Sequence, residues 1–402
     1  MNILVFNCGS SSLTYKIFEV KKYDQISVLL SGKANRVGVH GTESSFLETR
    51  FKENININTI PIKNHRVAAA LALNTIMNYN ISVDYIGHRF VHGGNFFQSS
   101  AFLNKETLKK LKLCLPLAPI HNPNSLSVIY ECQKLMQNAF QYVAFDSAFH
   151  SSLPKHSYTY ALPRRIIKKF GFRKYGFHGL SCSYVTNQVA STLNIPVEKL
   201  KIILCHLGTG GSSVTAIKFG NSFDISMGYT PLTGLIMSTR CGDIDPMLAI
   251  YLMSVYGYRP NDLAEIFNKK SGLLGISGFS SDIRDIIHKL NSEDEGHSEL
   301  AFNMYTLRIK KYIGSFIVAL GGVDVLTFTD DIGIHNWLVR EKICTNMEWS
   351  GLVLDTKVNR QVSGNQITFL NSNKSKVQIL SIPTEEELVI CLEGIKLLGE
   401  KL

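Results

Sequence analysis

Two distant segments of this chain share one pattern of residues. Residues 3–12 and residues 203–213 each hold an apolar run and a turn of glycine with serine or threonine, and a second β-prone run follows each turn. We interpret the likeness as an internal duplication, in which two related halves open in the same way. Glycine permits the close approach of a ligand, and successive N–H groups and hydroxyls bind anions. The pattern therefore predicts two facing turns, one in each of two domains, that bind a phosphate chain between them.

The length of the chain also favours two domains, because 402 residues exceed what one ordinary core holds. Predicted strands alternate with predicted helices. A helix is expected over residues 67–77, a strand over 85–91, and a buried strand over 142–145 that ends at Asp146. Such alternation predicts an α/β architecture, with ligands bound beyond the carboxyl ends of strands.

The second half of the chain continues this alternation. We expect a long helix over residues 298–320, with Ser298 as its N-cap, and buried strands over residues 323–328 and 377–382. Thr384 and Glu387 have the spacing of a capping box, which predicts the start of a terminal helix.

The distribution of charge and of cysteine indicates which classes of protein can be set aside. The net charge is +10, but the basic residues are scattered and form no aromatic-interleaved stripe, so we expect no nucleic-acid partner. The eight cysteines stand singly, as is typical of reduced thiols in the cytosol. No signal peptide is recognised, and uncharged stretches fall short of the roughly 20 residues of a membrane span. We expect a cytoplasmic protein that uses its positive charge on a small anionic substrate.

Histidine, arginine and aspartate recur in five short strings along the chain. The strings, three of which contain glycine, occupy residues 88–94, 118–123, 145–150, 175–179 and 238–246. A single histidine beside a glycine is more often a structural turn residue than a catalytic group. Five such strings in one chain favour a catalytic interpretation.

These strings and the two turns resemble the acetate kinase family in order and spacing along essentially the whole chain. The resemblance implies two duplicated ribonuclease H-like domains of the actin-like ATPase and sugar kinase group, an active-site cleft between them, and a homodimer. It places the acetate-side residues in a domain of residues 1–147 with 383–402. The phosphate-donor side would then lie in residues 148–382.

The reaction of this family explains why arginine suits its active site. A carboxylate with a pKa near 4 to 5 is already ionised at neutral pH, so catalysis must mainly align two anions and neutralise charge on the transferred group. The resemblance assigns Arg89 to acetate, Arg240 to the transferring phosphoryl group and His178 to one of its equatorial oxygens. Asp146 matches the active-site aspartate, whose role we leave open between positioning Arg89 and the metal, and proton transfer.

The resemblance assigns further residues by position. It adds His121 to the catalytic set, and it gives Asn7 and Glu386 to a Mg²⁺ site that could also take Mn²⁺. The pocket for the acetate methyl group would be formed by Val91, Ile120, Phe177 and Pro231, and phosphate would be bound by Ser10, Ser12, Thr14, His206, Gly208, Thr209, Gly210, Asp282 and Arg284. By its position alone, Glu386 could serve only the electrostatics of a helix N-terminus, and the four apolar residues could be plain core.

Some residues depart from the usual family pattern. Thr14 stands where the family has lysine, and Thr209 where it has asparagine. Residues 328–335 are glycine-rich in the family because they cradle adenosine, whereas this chain has Asp330 and Asp331 there, which add bulk and negative charge. These departures resemble the diphosphate-dependent branch, whose members interconvert acetyl phosphate plus phosphate with acetate plus diphosphate.

Three alternatives stay open from the sequence. The chain could be an ATP-dependent acetate kinase in which the sequence of residues 328–335 has changed without a change of phosphoryl donor. It could be a non-catalytic phosphate-binding protein, which the retained polar set disfavours. It could also be a kinase of hydroxyl substrates, in which Asp146 would act as the base.

Overall fold

The computed structural model describes residues 1–22, 25–39, 44–290 and 296–399. The chain divides into two compact units, Met1–Phe149 with Glu385–Leu402, and His150–Thr384. These junctions, at 149 and 384, lie two residues beyond the boundaries at 147 and 382 that the sequence predicted. The last helix of the chain returns to the first unit, and this return brings Glu386 to the residues of the first strand.

The first unit is built on an eight-stranded sheet in the order β5-β4-β3-β2-β1-β6-β8-β7. Numbered in chain order, its strands are β1 Asn2–Cys8, β2 Ser12–Lys22, β3 Gln25–Asn35, β4 Phe46–Phe51, β5 Asn54–Thr59, β6 Tyr85–Phe90, β7 Ala101–Phe102 and β8 Phe140–Phe145. β1 pairs antiparallel with β2 and parallel with β6, and β6 pairs parallel with β8. The carboxyl ends of β1, β6 and β8 therefore meet at one edge of the sheet.

Helices pack on this sheet. They are α1 His65–Asn78, α2 Lys105–Leu113, α3 Asn122–Leu135 and the terminal α15 Glu386–Gly399, with a 3₁₀ turn at Leu115–Leu117. The close docking of α15 is visible at Tyr142 of β8, whose hydroxyl donates to the Ile390 carbonyl oxygen at 2.7 Å. A Cβ at Gly394 would lie 2.4 Å from this hydroxyl, so only glycine lets the helix approach so closely.

The second unit is built on a six-stranded sheet in the order β11-β10-β9-β12-β14-β13. Its strands are β9 Lys201–Leu207, β10 Ser212–Lys218, β11 Asn221–Ile225, β12 Val325–Thr329, β13 Thr368–Phe369 and β14 Gln378–Ser381. The antiparallel pairs β11-β10-β9 are followed by the parallel pairs β9-β12-β14. The first sheet repeats this arrangement in β3-β2-β1-β6-β8. The predicted duplication of an α/β half is confirmed.

The helices of the second unit surround its sheet. They are α4 Lys155–Tyr158, α5 Arg164–Phe170, α6 Gly179–Leu193, α7 Pro246–Tyr256, α8 Pro260–Lys269, α9 Gly272–Ser277, α10 Ile283–His288, α11 His297–Leu320, α12 Asp330–His335, α13 Trp337–Cys344 and α14 Thr356–Arg360. Three 3₁₀ turns occupy Phe149–Ser152, Val197–Lys199 and Glu348–Ser350. The long α11 supplies Tyr305, Ile309, Ile313 and Phe316 to the core.

Two local predictions about caps are wrong. The long helix begins at His297, and its N-cap is Gly296 in the left-handed region, whereas Ser298 is buried within the first turn. Thr384 and Glu387 form no capping box, because the Thr384 hydroxyl makes no hydrogen bond and the Glu387 carboxylate binds Lys16 and Asn7. Polar residues near a helix start have more partners available in the folded chain than local spacing reveals.

Two further observations concern the whole described chain. All eight cysteines carry free thiols, as their isolated spacing predicted, and only Cys241 is more than marginally exposed. No helix within the described residues has both the length and the apolar character needed to cross a membrane.

Candidate active site

The turn between β1 and β2 is tightly folded. The Gly9 N–H donates to the Ser12 carbonyl oxygen at 2.9 Å, and the Gly9 carbonyl oxygen lies 3.0 Å from Nε2 of His65 at the start of α1. Burial lowers the pKa of His65, which keeps this imidazole neutral. The predicted phosphate ligands Ser10 and Ser12 lie on this turn, and Thr14 lies on β2 opposite Asn7.

Arg89 forms the centre of a polar cluster at the carboxyl edge of the first sheet. Its Nη2 donates to Asp146 Oδ2 at 2.6 Å, its Nε to Asp146 Oδ1 at 3.0 Å, and its Nη1 to Asn7 Oδ1 at 2.9 Å. The sequence brings these residues together because Asn7 lies near the end of β1, Arg89 near the end of β6, and Asp146 directly after β8. The Asp146 side chain is only 1% exposed, against 15% for Arg89, so the guanidinium retains the accessible side of the pair.

The start of α15 adds three carboxylates to this cluster. Asn7 Nδ2 donates to Glu386 Oε2 at 3.0 Å and to Glu387 Oε1 at 2.9 Å. The Lys16 ammonium lies 3.2 Å from Glu387 and 3.4 Å from Glu385. Burial lowers the pKa of both Arg89 and Lys16, but the neighbouring carboxylates outweigh it and raise each pKa above its usual value. Both cations therefore stay charged.

These residues suit a magnesium ion that keeps much of its water shell. Within the described residues no three carboxylate, histidine or cysteine side chains are arranged to enclose a metal. The Asn7 amide oxygen already accepts from Arg89, whereas Glu386 is partly exposed beside it. Mg²⁺ commonly binds through one or two carboxylates, waters and substrate phosphates, so the carboxylate cluster fits such an ion.

The strings at residues 88–94 and 118–123 lie side by side. The Asn122 side chain accepts from the His92 N–H at 3.2 Å and donates to the carbonyl oxygens of His92 and Cys114. His121 occupies the N-cap position of α3. In the same region Val91 is buried, whereas Ile120 is exposed and available to contact a ligand.

In the second unit, two stacked histidines flank the turn between β9 and β10. The rings of His178 and His206 lie 4.1 Å apart with an angle of 25° between them. His178 Nδ1 lies 2.9 Å from the Ser213 hydroxyl, and His206 Nδ1 lies 3.0 Å from the Ser181 hydroxyl. His178 itself adopts a left-handed conformation, with φ 60°, at the N-cap of α6. These hydroxyl contacts fix the orientation of both rings beside the glycine turn.

Arg240 approaches the same turn from the string at residues 238–246. A Cβ at Gly211 would lie 3.3 Å from Arg240 Nη1 and 3.6 Å from His178 Nε2, so both side chains border this glycine. Arg240 Nη1 makes a long hydrogen bond of 3.4 Å to the Pro231 carbonyl oxygen, and Arg240 has no ion-pair partner among the described residues. Burial therefore lowers its pKa. An anion at this turn would supply the missing counter-charge.

The acidic segment Asp330–His335 contacts the turn directly. Asp330, with φ 66°, places its carboxylate where a Cβ on Gly208 would collide with it, and its Oδ2 lies 3.0 Å from His206 Nε2. Asp331 lies 3.5 Å from Arg284, whose guanidinium also binds Asp282. The two aspartates that the sequence singled out thus engage a histidine and an arginine of the predicted phosphate site.

A cavity of about 150 Å³ opens beside this turn. Its polar wall consists of Gly208, Thr209, Ser212, Ser238, Ser281 and Tyr305, with Asp282 at one side. Gly210, at the tip of the turn, is exposed.

The structure thus gathers the predicted residues into two clusters. Asn7, Arg89, Asp146 and Glu386 lie together in the first unit, and His178, His206, Arg240 and the glycine turn lie together in the second. Val91 and Ile120 belong to the first unit and Phe177 and Pro231 to the second, so their common methyl pocket stays a prediction. The predicted proximity of Arg89 to Arg240 also remains a prediction.

Sequence reasoning missed Lys16, His65 and Tyr305. Lys16 could have been found from strand periodicity, because it lies two residues after Thr14 and therefore on the same face of β2. His65 and Tyr305 belong to helices without a motif, and only tertiary packing brings them to their turns.

The sequence matches the acetokinase family over residues 2–392. The chain is 44% identical to the acetate kinase of Dictyoglomus turgidum, with 100% of this chain and 99% of that protein aligned. Its structure is similar to the crystal structure of acetate kinase from Entamoeba histolytica, with a TM-score of 0.89 and 44% identity over 98% of this chain and 99% of that one. It is also similar to a propionate kinase from Francisella tularensis subsp. tularensis, with a TM-score of 0.88 and 34% identity over 98% of each chain.

The agreement in fold with these structures confirms the predicted ribonuclease H-like architecture. The family match and the aligned relatives extend over nearly the whole sequence. On these grounds the chain belongs to the acetokinase family.

Proposed function

We propose that this protein is an acetate kinase that interconverts acetyl phosphate and inorganic phosphate with acetate and diphosphate. The family match and relatives named acetate kinase support the acetyl half of the reaction. The observation that carries the choice of diphosphate is the Asp330 carboxylate, which packs against Gly208 and binds His206.

On the acetate side, Arg89 is the residue suited to hold the carboxylate. Its guanidinium is fixed by Asp146 and Asn7, while 15% of the side chain stays exposed to receive a ligand. This geometry favours a positioning role for Asp146 over proton transfer, because both of its oxygens bind Arg89. Acetate needs no base, since it is ionised at neutral pH.

On the phosphate side, Arg240 and His178 are suited to stabilise the group in transfer. In the direction of diphosphate synthesis, an oxygen of inorganic phosphate attacks the phosphorus of acetyl phosphate, and the bond to the acetate oxygen breaks. Negative charge then spreads over the three equatorial oxygens. Arg240 lacks an ion-pair partner in the described chain and therefore can direct its donors at these oxygens, with His178 beside it.

Glu386 and Asn7 would hold Mg²⁺, or Mn²⁺, together with water. The ion would neutralise charge on the phosphoryl oxygens. The partial exposure of Glu386 and its contact with Asn7 support this assignment. His121, at the N-cap of α3, would contribute to orienting the acyl phosphate.

Two features of the second unit disfavour a nucleoside triphosphate. Asp330 and Asp331 place two side chains in the segment that is glycine-rich where the family cradles adenosine, and such side chains take up space that glycine leaves open. The cavity of about 150 Å³ is also smaller than the roughly 300–1,000 Å³ of typical small-molecule pockets. A bare phosphate needs no room for adenosine.

Acetyl phosphate consumption by the purified protein is expected to require inorganic phosphate and to produce diphosphate in equal amount. The assay would follow acetyl phosphate with hydroxylamine and diphosphate with a diphosphatase-coupled phosphate assay, in the presence of Mg²⁺. ADP in place of phosphate should give little turnover, because the side chains of Asp330 and Asp331 occupy the segment that would have to receive its adenosine.

The matched control is the double variant Asp330→Gly/Asp331→Gly. It should weaken the preference for phosphate over ADP, because it removes both side chains and restores a glycine-rich segment with room for adenosine. ADP-dependent turnover by the unaltered protein, without a response to phosphate, would instead establish the ATP-dependent alternative.

The surface of α7 supports the homodimer that the family resemblance implies. Pro246–Tyr256 contains no charged residue, and most of its large apolar side chains are exposed, namely Met247, Leu248, Ile250, Tyr251, Met253, Val255 and Tyr256. Contiguous apolar surface of this kind is rare on monomers. In a twofold-symmetric dimer the same surface of both subunits comes into contact. An uncharged helix can pack against its own copy there, because the contact brings no like charges together. We infer that α7 contributes to the interface of a homodimer in the cytoplasm, where free thiols persist.

Substituting Leu248→Glu and Val255→Glu together should convert the dimer into monomers. Each glutamate would have to be buried without a counter-charge in the interface. Sedimentation velocity would report the halved mass. Ile57→Glu on the exposed edge strand β5 is the matched control and should leave the mass unchanged. A monomeric parent protein would refute the proposed interface.

A further inference from the structure

Lys16 binds the two carboxylates that flank the proposed metal ligand Glu386. Its ammonium lies 3.4 Å from Glu385 Oε2 and 3.2 Å from Glu387 Oε2. Glu386 itself accepts a hydrogen bond of 3.0 Å from the side chain of Asn7. A single cation therefore holds the residues on both sides of the metal ligand.

The main chain of Lys16 is fixed in the interior of the first sheet. The residue pairs with Val5 of β1 on one side and with Ser31 of β3 on the other. Its neighbours Tyr15 and Ile17 are fully buried, and side chains alternate along a strand. The Lys16 side chain accordingly points to the opposite face, where it meets the start of α15. The sheet thus sets the position from which the ammonium acts.

Negative charge collects at the start of α15. Residues 385–387 carry three consecutive carboxylates, and the nearby Arg89 already binds both oxygens of Asp146. Lys16 balances the first and the third of these carboxylates directly. Without its ammonium, all three would act together on a divalent cation, and the attraction grows with each uncompensated charge.

We propose that Lys16 is a positioning residue that keeps Glu385 and Glu387 from binding the divalent metal, so that tight metal binding requires the acyl phosphate. The inference rests on the metal site of the proposed function and deepens it. Mg²⁺ dehydrates reluctantly and is usually bound by one or two carboxylates together with substrate phosphates. While the flanking carboxylates are bound to Lys16, Asn7 and Glu386 offer too few ligands to hold the ion firmly. The phosphoryl oxygens of the substrate then complete the set.

The variant Lys16→Met removes the ammonium and keeps an unbranched apolar side chain. Without substrate it should bind Mn²⁺ about ten- to a hundredfold more tightly than the parent protein, because Glu385 and Glu387 add their charges to that of Glu386. The electron paramagnetic resonance signal of unbound Mn²⁺ measures this affinity and needs no turnover. A merely structural role of Lys16 predicts the opposite sign, since a loosened helix start would weaken metal binding.

Two lysine variants serve as controls. Lys21→Met removes an exposed lysine of the same strand, whose ammonium lies 3.4 Å from Glu19, and should leave the affinity for Mn²⁺ unchanged. Lys16→Arg retains a cation that can bind both carboxylates, so it should bind Mn²⁺ as weakly as the parent protein.

Glu386→Gln tests whether the metal binds where the proposed function places it. Added to Lys16→Met, this substitution should abolish the gain in affinity. If the gain persists, the metal binds elsewhere, and both the proposed metal site and the inference are overturned. If Glu386→Gln weakens Mn²⁺ binding by the parent protein while Lys16→Met binds no more tightly than the parent, the metal site stands and only the role of Lys16 is overturned.

Acetyl phosphate tests the dependence of metal binding on substrate. It should tighten Mn²⁺ binding by the parent protein at least about tenfold, and by Lys16→Met to a smaller degree. Acetyl phosphate belongs to the diphosphate-linked and the ATP-linked reaction alike, so a failure of the choice of diphosphate would leave this result intact. Equal tightening in the two proteins would overturn the inference.

Discussion

Replacing Arg240 by alanine is expected to lower kcat by about 10³- to 10⁵-fold, the range over which a single arginine stabilises phosphoryl transfer in other enzymes. Arg240 borders Gly211 together with His178 and has no ion-pair partner in the described residues, so its charge is available to the transferred group. The KM for acetyl phosphate should change much less, because charge spreads over the phosphoryl oxygens mainly in the transition state.

The stability of this variant should stay unchanged or rise. The guanidinium is half-buried without a counter-charge, and burial already lowers its pKa. Removing a charge that the fold does not neutralise relieves a desolvation cost. Thermal unfolding followed by circular dichroism would show this together with the loss of activity.

Two control variants make the result specific to Arg240. Arg240→Lys keeps the charge but not the planar fork of donors, so it should recover only part of the lost rate. Arg259→Ala removes a largely exposed arginine of the same unit and should keep full activity. Parent-like turnover by Arg240→Ala would remove this residue from the proposed chemistry.

The fold could be predicted from the sequence largely because the duplication repeats one strong pattern. Each strand of the repeat is apolar and ends at small or polar residues, and β1, β2, β9 and β10 accordingly have the predicted arrangement. The caps at Ser298 and Thr384 were wrong because side-chain spacing cannot show which polar group becomes buried.

The site could be predicted only where its residues lie in short strings beside strand ends. Asn7, Arg89 and Asp146 follow from three parallel strands whose carboxyl ends meet. Lys16 and Glu387 join the same cluster because α15 returns to β1, an association between residues at opposite ends of the chain that no local pattern encodes. The contact of Asp330 with His206 likewise depends on the pairing of β12 with β9.

Replacing Arg89 by alanine should have the opposite effect on stability from replacing Arg240. Asp146 is 1% exposed and uses both oxygens to bind Arg89, so the variant leaves a buried carboxylate without its cation. Breaking a buried pair on one side typically lowers the free energy of unfolding by about 3–5 kcal/mol. Urea titration of the variant and the parent protein at the same pH would measure this loss.

Activity should fall as well, and a second substitution separates the two effects. In Arg89→Met/Asp146→Leu both charged partners are replaced by apolar side chains, a change that often restores the stability lost when one partner is removed. Turnover should stay as low in the double variant as in Arg89→Ala, because both variants lack the guanidinium that would hold acetate. If the double variant regained both stability and turnover, Arg89 would be only a structural partner of Asp146. Recovery of stability alone would instead show that Arg89 serves the carboxylate substrate as well as the fold.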